Sequence, residues 1–220
     1  KCPKSIRSHT SSSTLTDCWW TRRFATQKHS PACSSPSADS SPWRRRPHEG
    51  IQERVTVEEF TKDYMVHLDE LLRHGPLKEG AERIVRHLAK HKIPMAICSG
   101  SGTKEFALKS ASHSSLWSLI PLTVLTGDDP HVKHGKPAPD GYLETIKRFP
   151  SPPSSARHVL VLEDAPNGVK SGLAAGCQVV QVPTGPEQCF RMGAEIDAKI
   201  TVLNTLLDFD PTLFGLPAYN

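Results

Sequence analysis

The chain has 220 residues, with 27 Lys and Arg against 23 Asp and Glu and an apolar share of 37%. That length accommodates one well-buried α/β domain with a small addition, and no stretch approaches the roughly 18 consecutive apolar residues of a membrane span. Six cysteines without a CxxC pair argue against both a zinc site and a disulfide framework, and point to a reducing compartment such as the cytoplasm.

Residues 1–50 carry nine Lys and Arg against three Asp and Glu, leaving 18 against 20 for residues 51–220. The basic surplus therefore belongs to the first fifty residues. These are rich in Ser and Pro, hold no sustained apolar period of 2 or 3.6, and are expected to be disordered. An Arg- and Ser-rich, acid-poor start is also the composition of a mitochondrial transit peptide, and Arg44-Arg45-Arg46 suits a nucleic-acid patch. The lack of interleaved aromatics and of a basic face in residues 51–220 counts against a nucleic-acid-binding protein.

From Ile51 onward the texture is that of a folded protein. Apolar residues Phe60, Tyr64, Leu68, Leu71 and Leu72 predict an amphipathic helix over 57–72, and Ile84, Val85, Leu88 and Ala89 another over 79–90. Residues 94–98 predict a buried strand that ends in Ser99-Gly100-Ser101-Gly102 before a helix containing Phe106 and Leu108. A hydroxyl and backbone N–H groups at a helix start suit an anion, although a Ser/Gly cluster is equally an ordinary turn.

Leu122–Leu125 predicts another short strand. Beyond it, Lys136 stands between Gly135 and Pro137, just before a helix over 142–149, so rigid backbone holds it on both sides. A lysine so fixed is suited to holding a charge in place, while a solvated surface lysine is the commoner fate. Val159 to Leu162 is an apolar run without polar alternation, which reads as a strand buried on both faces. Glu163 and Asp164 lie at its carboxyl end, where open α/β sheets bind ligands, and Pro166-Asn167-Gly168 turns the chain into a helix over 169–175. Two hard oxygen ligands there suit Mg²⁺, and a surface turn carries Glu-Asp equally well. Residues 178–182 and 199–203 predict two more strands. Five strands alternating with helices imply a parallel, Rossmann-like α/β sheet.

Three strand tips thus deliver a hydroxyl, a lysine and a carboxylate pair in chain order. Over residues 51–220 this resembles the haloacid dehalogenase superfamily of phosphohydrolases, whose later three motifs match Ser99, Gly135-Lys136-Pro137 and Glu163-Asp164. HGKPAPD, VLEDAPNGV, LAAGCQVVQVP and LLDFDPTLFGLPAY resemble the pseudouridine-5'-phosphatase branch of that superfamily. The resemblance implies a Mg²⁺-dependent phosphatase of small, nucleotide-like phosphomonoesters. It also implies that Ser99, Gly100 and Lys136 hold the substrate phosphate, with Ser99 and Lys136 catalytic, and that Asp164, assisted by Glu163, holds the metal. A monomer acting on a small phosphorylated metabolite, with no nucleic-acid or membrane partner, is expected.

The first motif of the superfamily, an apolar strand ending in DxDG, occurs nowhere in the chain. Read one base earlier, however, the codons of Asp17-Cys18-Trp19-Trp20-Thr21 give Leu-Leu-Val-Asp without freedom, and the flanks permit FDLDGLLVDTE. Residues 1–50 are accordingly expected to be an out-of-frame translation, residues 51–74 a remnant of a helical cap, and residues 75–220 the Rossmann-like core. The central nucleophile strand and most of the cap are expected to be missing. The chain as written is then expected to be inactive, because no aspartyl-phosphate forms without the nucleophile. The alternative class is a non-catalytic remnant.

Overall fold

A computed structural model describes residues 12–16, 56, 72–184 and 192–220. The expected helix over 57–72 lies almost wholly outside the described residues, as do the first fifty apart from a strand. Among the described residues six parallel strands form one sheet: β1 (Ser12–Thr16), β2 (Met95–Ser99), β3 (Leu122–Leu125), β4 (Val159–Glu163), β5 (Gln178–Gln181) and β6 (Thr201–Val202), in the order β3-β2-β1-β4-β5-β6. Helices α1 (Ala81–Lys90), α2 (Thr103–Ser110), α3 (Ser114–Trp117), α4 (Asp140–Arg148), α5 (Pro166–Ala174) and α6 (Ala194–Asp197) supply the connections.

The sheet is buried on both faces at its centre because β2 and β4 present apolar residues at every position but the last, where Ser99 and Glu163 stand. All five residues of each are buried. Along β4, Leu160 and Leu162 join a cluster with Ile84, Val85 and Leu88 of α1, whereas Val159 and Val161 join a second cluster with Tyr142 of α4 and Val169 of α5. Period-2 alternation sends successive side chains to opposite layers. Each such Val or Leu contributes about 1.5–3 kcal/mol on burial. Cys98 and Cys177 belong to the second layer, where burial pushes the Cys177 thiol up to about 12. These are packing residues rather than reactive thiols.

The expected gap at the centre of the sheet is not there. Ser12–Thr16 occupies it, with Thr14 level with Ala96 on one side and Val161 on the other. The expectation rested on the polar side chains of this stretch, but the ladder is made by backbone N–H and C=O groups, which any residue except proline supplies. The inner edges of β2 and β4 are therefore paired.

The start of α5 also differs from expectation. Pro166-Asn167-Gly168 is the first helical turn rather than a turn before it, since proline at the first helical position gives up an N–H that has no partner there anyway. The strand expected over 199–203 shortens to Thr201–Val202, where it pairs only with β5 at the sheet edge.

Because β1 closes the ladder between two buried strands, Thr14→Pro is expected to lower stability. The lost N–H leaves a backbone carbonyl of β2 or β4 unpaired in the interior, at about 1–3 kcal/mol. Urea unfolding followed by far-UV circular dichroism checks this; an unchanged midpoint contradicts the central placement of Ser12–Thr16.

Candidate active site

The carboxyl ends of the parallel strands converge on one lysine. Gly135 and Pro137 flank Lys136, and its ammonium donates to the Cys98 carbonyl at the end of β2 (3.1 Å) and to Glu163 Oε1 at the end of β4 (2.6 Å). Strand β1 lies between those two strands, so Lys136 bridges the carboxyl end of the central strand. Its side chain is only 14% exposed and that of Glu163 1%, so each charge needs the other: a buried charge without a partner is costly.

Glu163 is held from three directions. Tyr142 of α4, itself buried, donates its hydroxyl to Oε1 at 2.5 Å, and the backbone N–H of Asp164 donates to Oε2 at 3.2 Å. Lys136 also lies 5.2 Å from the Tyr142 ring centroid, within cation–π range. The space for the carboxylate is provided by Gly168 on α5, where a Cβ would land on the Glu163 carboxylate. The expected metal pair thus divides into two environments. Glu163 faces inward onto Lys136 and Tyr142, whereas Asp164 Oδ2 accepts from the Thr184 hydroxyl at 3.5 Å.

The tip of β2 is fixed by backbone packing. Ser99 is fully buried and its Oγ accepts from the Ser101 N–H at 3.2 Å, while Ser101 Oγ accepts from Lys109 of α2 at 2.5 Å. The loop after β3 lies directly against it: Thr126 N–H donates to the Ser99 carbonyl at 2.8 Å, and a Cβ on Gly127 would meet the Gly102 nitrogen at 2.7 Å. Only glycine permits that approach. Asp128 Oδ2 accepts from the Thr103 N–H at 2.8 Å, satisfying a donor in the first turn of α2. Beside it, Asp129 makes a two-pronged pair with Arg148 at 2.5 and 3.0 Å, and the guanidinium holds its carboxyl below the usual range. Arg148 thereby ties α4 to this loop.

The structure therefore brings Lys136 and Glu163 into contact, sets Ser99 one residue beyond the carbonyl that Lys136 also grips, and places Asp164 one residue beyond Glu163. Tyr142, Ser101, Lys109 and Thr184 were not singled out from sequence. Tyr142 had a signal, since a tyrosine on the apolar side of a buried helix requires a partner for its hydroxyl. Asp164 and Glu163 offer hard oxygens of the kind Mg²⁺ takes, and that ion needs only one or two carboxylates beside water and phosphate. No cluster of three His, Cys, Asp or Glu occurs among the described residues.

This arrangement coincides with a sequence match of residues 34–176 to the haloacid dehalogenase-like hydrolase family. The chain belongs to that family. The matched span begins inside the first fifty residues. Among its relatives, (DL)-glycerol-3-phosphatase 1 of Arabidopsis thaliana is 40% identical over 171 residues, 77% of this chain and 55% of the plant protein. A probable pseudouridine-5'-phosphatase of Drosophila melanogaster is 40% identical over 166 residues, covering 75% of this chain and 69% of the fly protein. The chain thus spans between about half and two thirds of the length of these family members. A family hydrolase of Deinococcus radiodurans, solved with phosphate and sodium bound, shares the fold with a TM-score of 0.60 at 22% identity, covering 80% of each chain.

In helix interiors Gly→Ala normally gains about 0.5–1 kcal/mol. At Gly168 the sign is expected to reverse. A methyl group there displaces the Glu163 carboxylate from Lys136, and breaking a buried pair costs about 3–5 kcal/mol. Chemical unfolding of Gly168→Ala checks this; a stabilised variant contradicts the Lys136–Glu163 contact.

Proposed function

We propose that this site serves Mg²⁺-dependent hydrolysis of small phosphomonoesters, and that the chain as written carries it in inactive form. The observation that supports the reading best is the Lys136 ammonium bridging the β2 and β4 tips across the end of the central strand. A phosphoryl group bound there meets a fixed positive charge together with Ser99 and the backbone N–H of Gly100. Such preorganised donors offset the charge that develops on the phosphoryl oxygens in transfer. Asp164, with Glu163 on the far side of its backbone, would hold the metal, which supplies further charge neutralisation when bound.

Hydrolysis in this family needs an aspartate to attack phosphorus, releasing the leaving oxygen, and a second carboxyl to protonate that oxygen and then deprotonate water. In the resemblance drawn from sequence both belong to the central strand. Here that strand is Ser12–Thr16, SSTLT, which contains no carboxylate. The codons behind this stretch and the residues after it, read one base earlier, permit FDLDGLLVDTE, of which Leu-Leu-Val-Asp is forced. We therefore assign catalytic competence to the frame-restored protein and none to the chain as given.

The substrate is placed among small phosphorylated metabolites. A nucleotide-like one such as pseudouridine 5'-phosphate is favoured by the HGKPAPD, VLEDAPNGV and LLDFDPTLFGLPAY segments, while the plant relative's name makes glycerol 3-phosphate the comparison to include. A cytoplasmic monomer is the simplest setting.

The test is phosphate release from pseudouridine 5'-phosphate, glycerol 3-phosphate and p-nitrophenyl phosphate. The chain as written should give none, and the frame-restored protein should turn over at least one of them in a Mg²⁺-dependent way. In the restored background Lys136→Ala is expected to depress all substrates alike, by about 10²–10³ (about 2.7–4 kcal/mol). Asp164→Asn should abolish turnover. A Lys136→Ala protein that only changes substrate preference contradicts the phosphate-anchoring role, and an active Asp164→Asn protein contradicts the metal assignment.

A further inference from the structure

A second charged group lies buried at the same edge of the sheet, and the phosphatase reading does not use it. Lys78 is 8% exposed, and its ammonium donates to the Val182 carbonyl at 2.6 Å. That is one acceptor for a group with three donors. Among the described residues no carboxylate lies within salt-bridge distance of it. Lys136, partly buried, shows the usual solution, which is a carboxylate in direct contact. Among the described residues Lys78 has none, and a buried ammonium without a counter-charge is costly.

Lys78 lines instead a cavity of about 310 Å³, together with Thr184, Asn204, Thr205, Val182 and Pro183 among others. That volume is at the lower end of small-ligand pockets. Thr184 follows the carboxyl end of β5, and Asn204 and Thr205 follow β6, so the lining hydroxyls and amide come from the edge at which β4 presents Asp164. Thr184 is shared, since its hydroxyl donates to Asp164 on the other side. Thr205 Oγ1 accepts from the Leu207 N–H at 3.2 Å, which leaves its proton free to donate. Glu79 is the one carboxylate in the lining; it is exposed to water at the rim and makes no ion pair with Lys78.

We propose that this cavity is a binding site for a small oxyanion, a carboxylate or phosphate group whose charge complements Lys78 and whose oxygens accept from Lys78, Thr205 and the Asn204 amide. Its lining includes neither Lys136 nor Glu163 and meets Asp164 only through Thr184, and it does not depend on the phosphatase reading.

The test uses the whole chain and two probes, inorganic phosphate and malonate, titrated calorimetrically into the starting protein and into Lys78→Met. Methionine keeps the length and apolar stem of the side chain and removes only the charge. Malonate is expected to bind once to the starting chain and not to Lys78→Met. Phosphate is expected to lose one equivalent in Lys78→Met while keeping any equivalent held at Lys136. Binding of phosphate alone names a phosphate site, and binding of both names a general oxyanion site. Lys78→Arg, which keeps the charge, should bind as the starting chain does. If Lys78→Met does not fold, Asn204→Asp, an exposed change that adds a like charge to the cavity, should weaken binding about tenfold or more. The proposal is overturned if neither anion binds the starting chain, or if Lys78→Met or Asn204→Asp binds both with unchanged stoichiometry and affinity. Loss of phosphate binding at Lys136 alone would count against the phosphatase reading and leave this one standing.

Discussion

The contact on which the site depends is the buried pair between Lys136 and Glu163. A lysine brought in by the loop after β3 and a glutamate at the end of β4 meet at 2.6 Å across the tip of a strand that belongs to neither. Neither charge is tolerable alone at that depth, so the pair fixes the relative positions of the Gly135–Pro139 loop, the β2 tip and the start of α5. Gly168 and Tyr142 make sense only as its accessories, one by leaving room for the carboxylate and the other by donating to it. In the proposed hydrolysis, a cation held so firmly would offer phosphate a charge that need not reorganise as the reaction proceeds.

Most of the scaffold around this pair was legible because it is built from short, uninterrupted apolar runs. Leu122–Leu125 was found to the residue, and Val159 to Leu162 fell one residue short, because Glu163 completes the ladder while its side chain carries the site's negative charge. A strand buried on both faces, as β4 is, announces itself in this way, whereas β3 at the sheet edge tolerates an exposed Thr123 among its apolar residues. Ser99 and the Glu163-Asp164 pair drew notice for a related reason, since each is a polar interruption at the end of such a run and in a parallel sheet those ends share one edge. Lys136 drew notice through the Gly135 and Pro137 that flank it.

What escaped the sequence reading escaped for identifiable reasons. Ser12–Thr16 has the wrong side chains for a central strand, and nothing in hydropathy reports that two flanking strands leave an unfilled ladder between them. Pro166-Asn167-Gly168 has the composition of a turn, yet proline at the first helical position and a glycine forced by Glu163 place it inside a helix. Tyr142 resembles a core aromatic, and its hydroxyl acquires meaning only when Glu163 is seen 2.5 Å away. The division between Glu163 and Asp164 was equally invisible. Adjacent carboxylates at a strand end must point in different directions, and which one faces the lysine is decided by helix α5 behind them.

The claim that binds these observations is that the convergence of β2, Lys136 and β4 is a phosphate-binding centre. Titrating inorganic phosphate into ¹⁵N-labelled chain and following backbone amide shifts tests it directly, because it asks only for binding and not for turnover. The expected result is a saturable response centred on Gly100, Ser101 and Asp164 that is lost in Lys136→Ala. A response that survives in Lys136→Ala, or the absence of any response at those three amides, would contradict it.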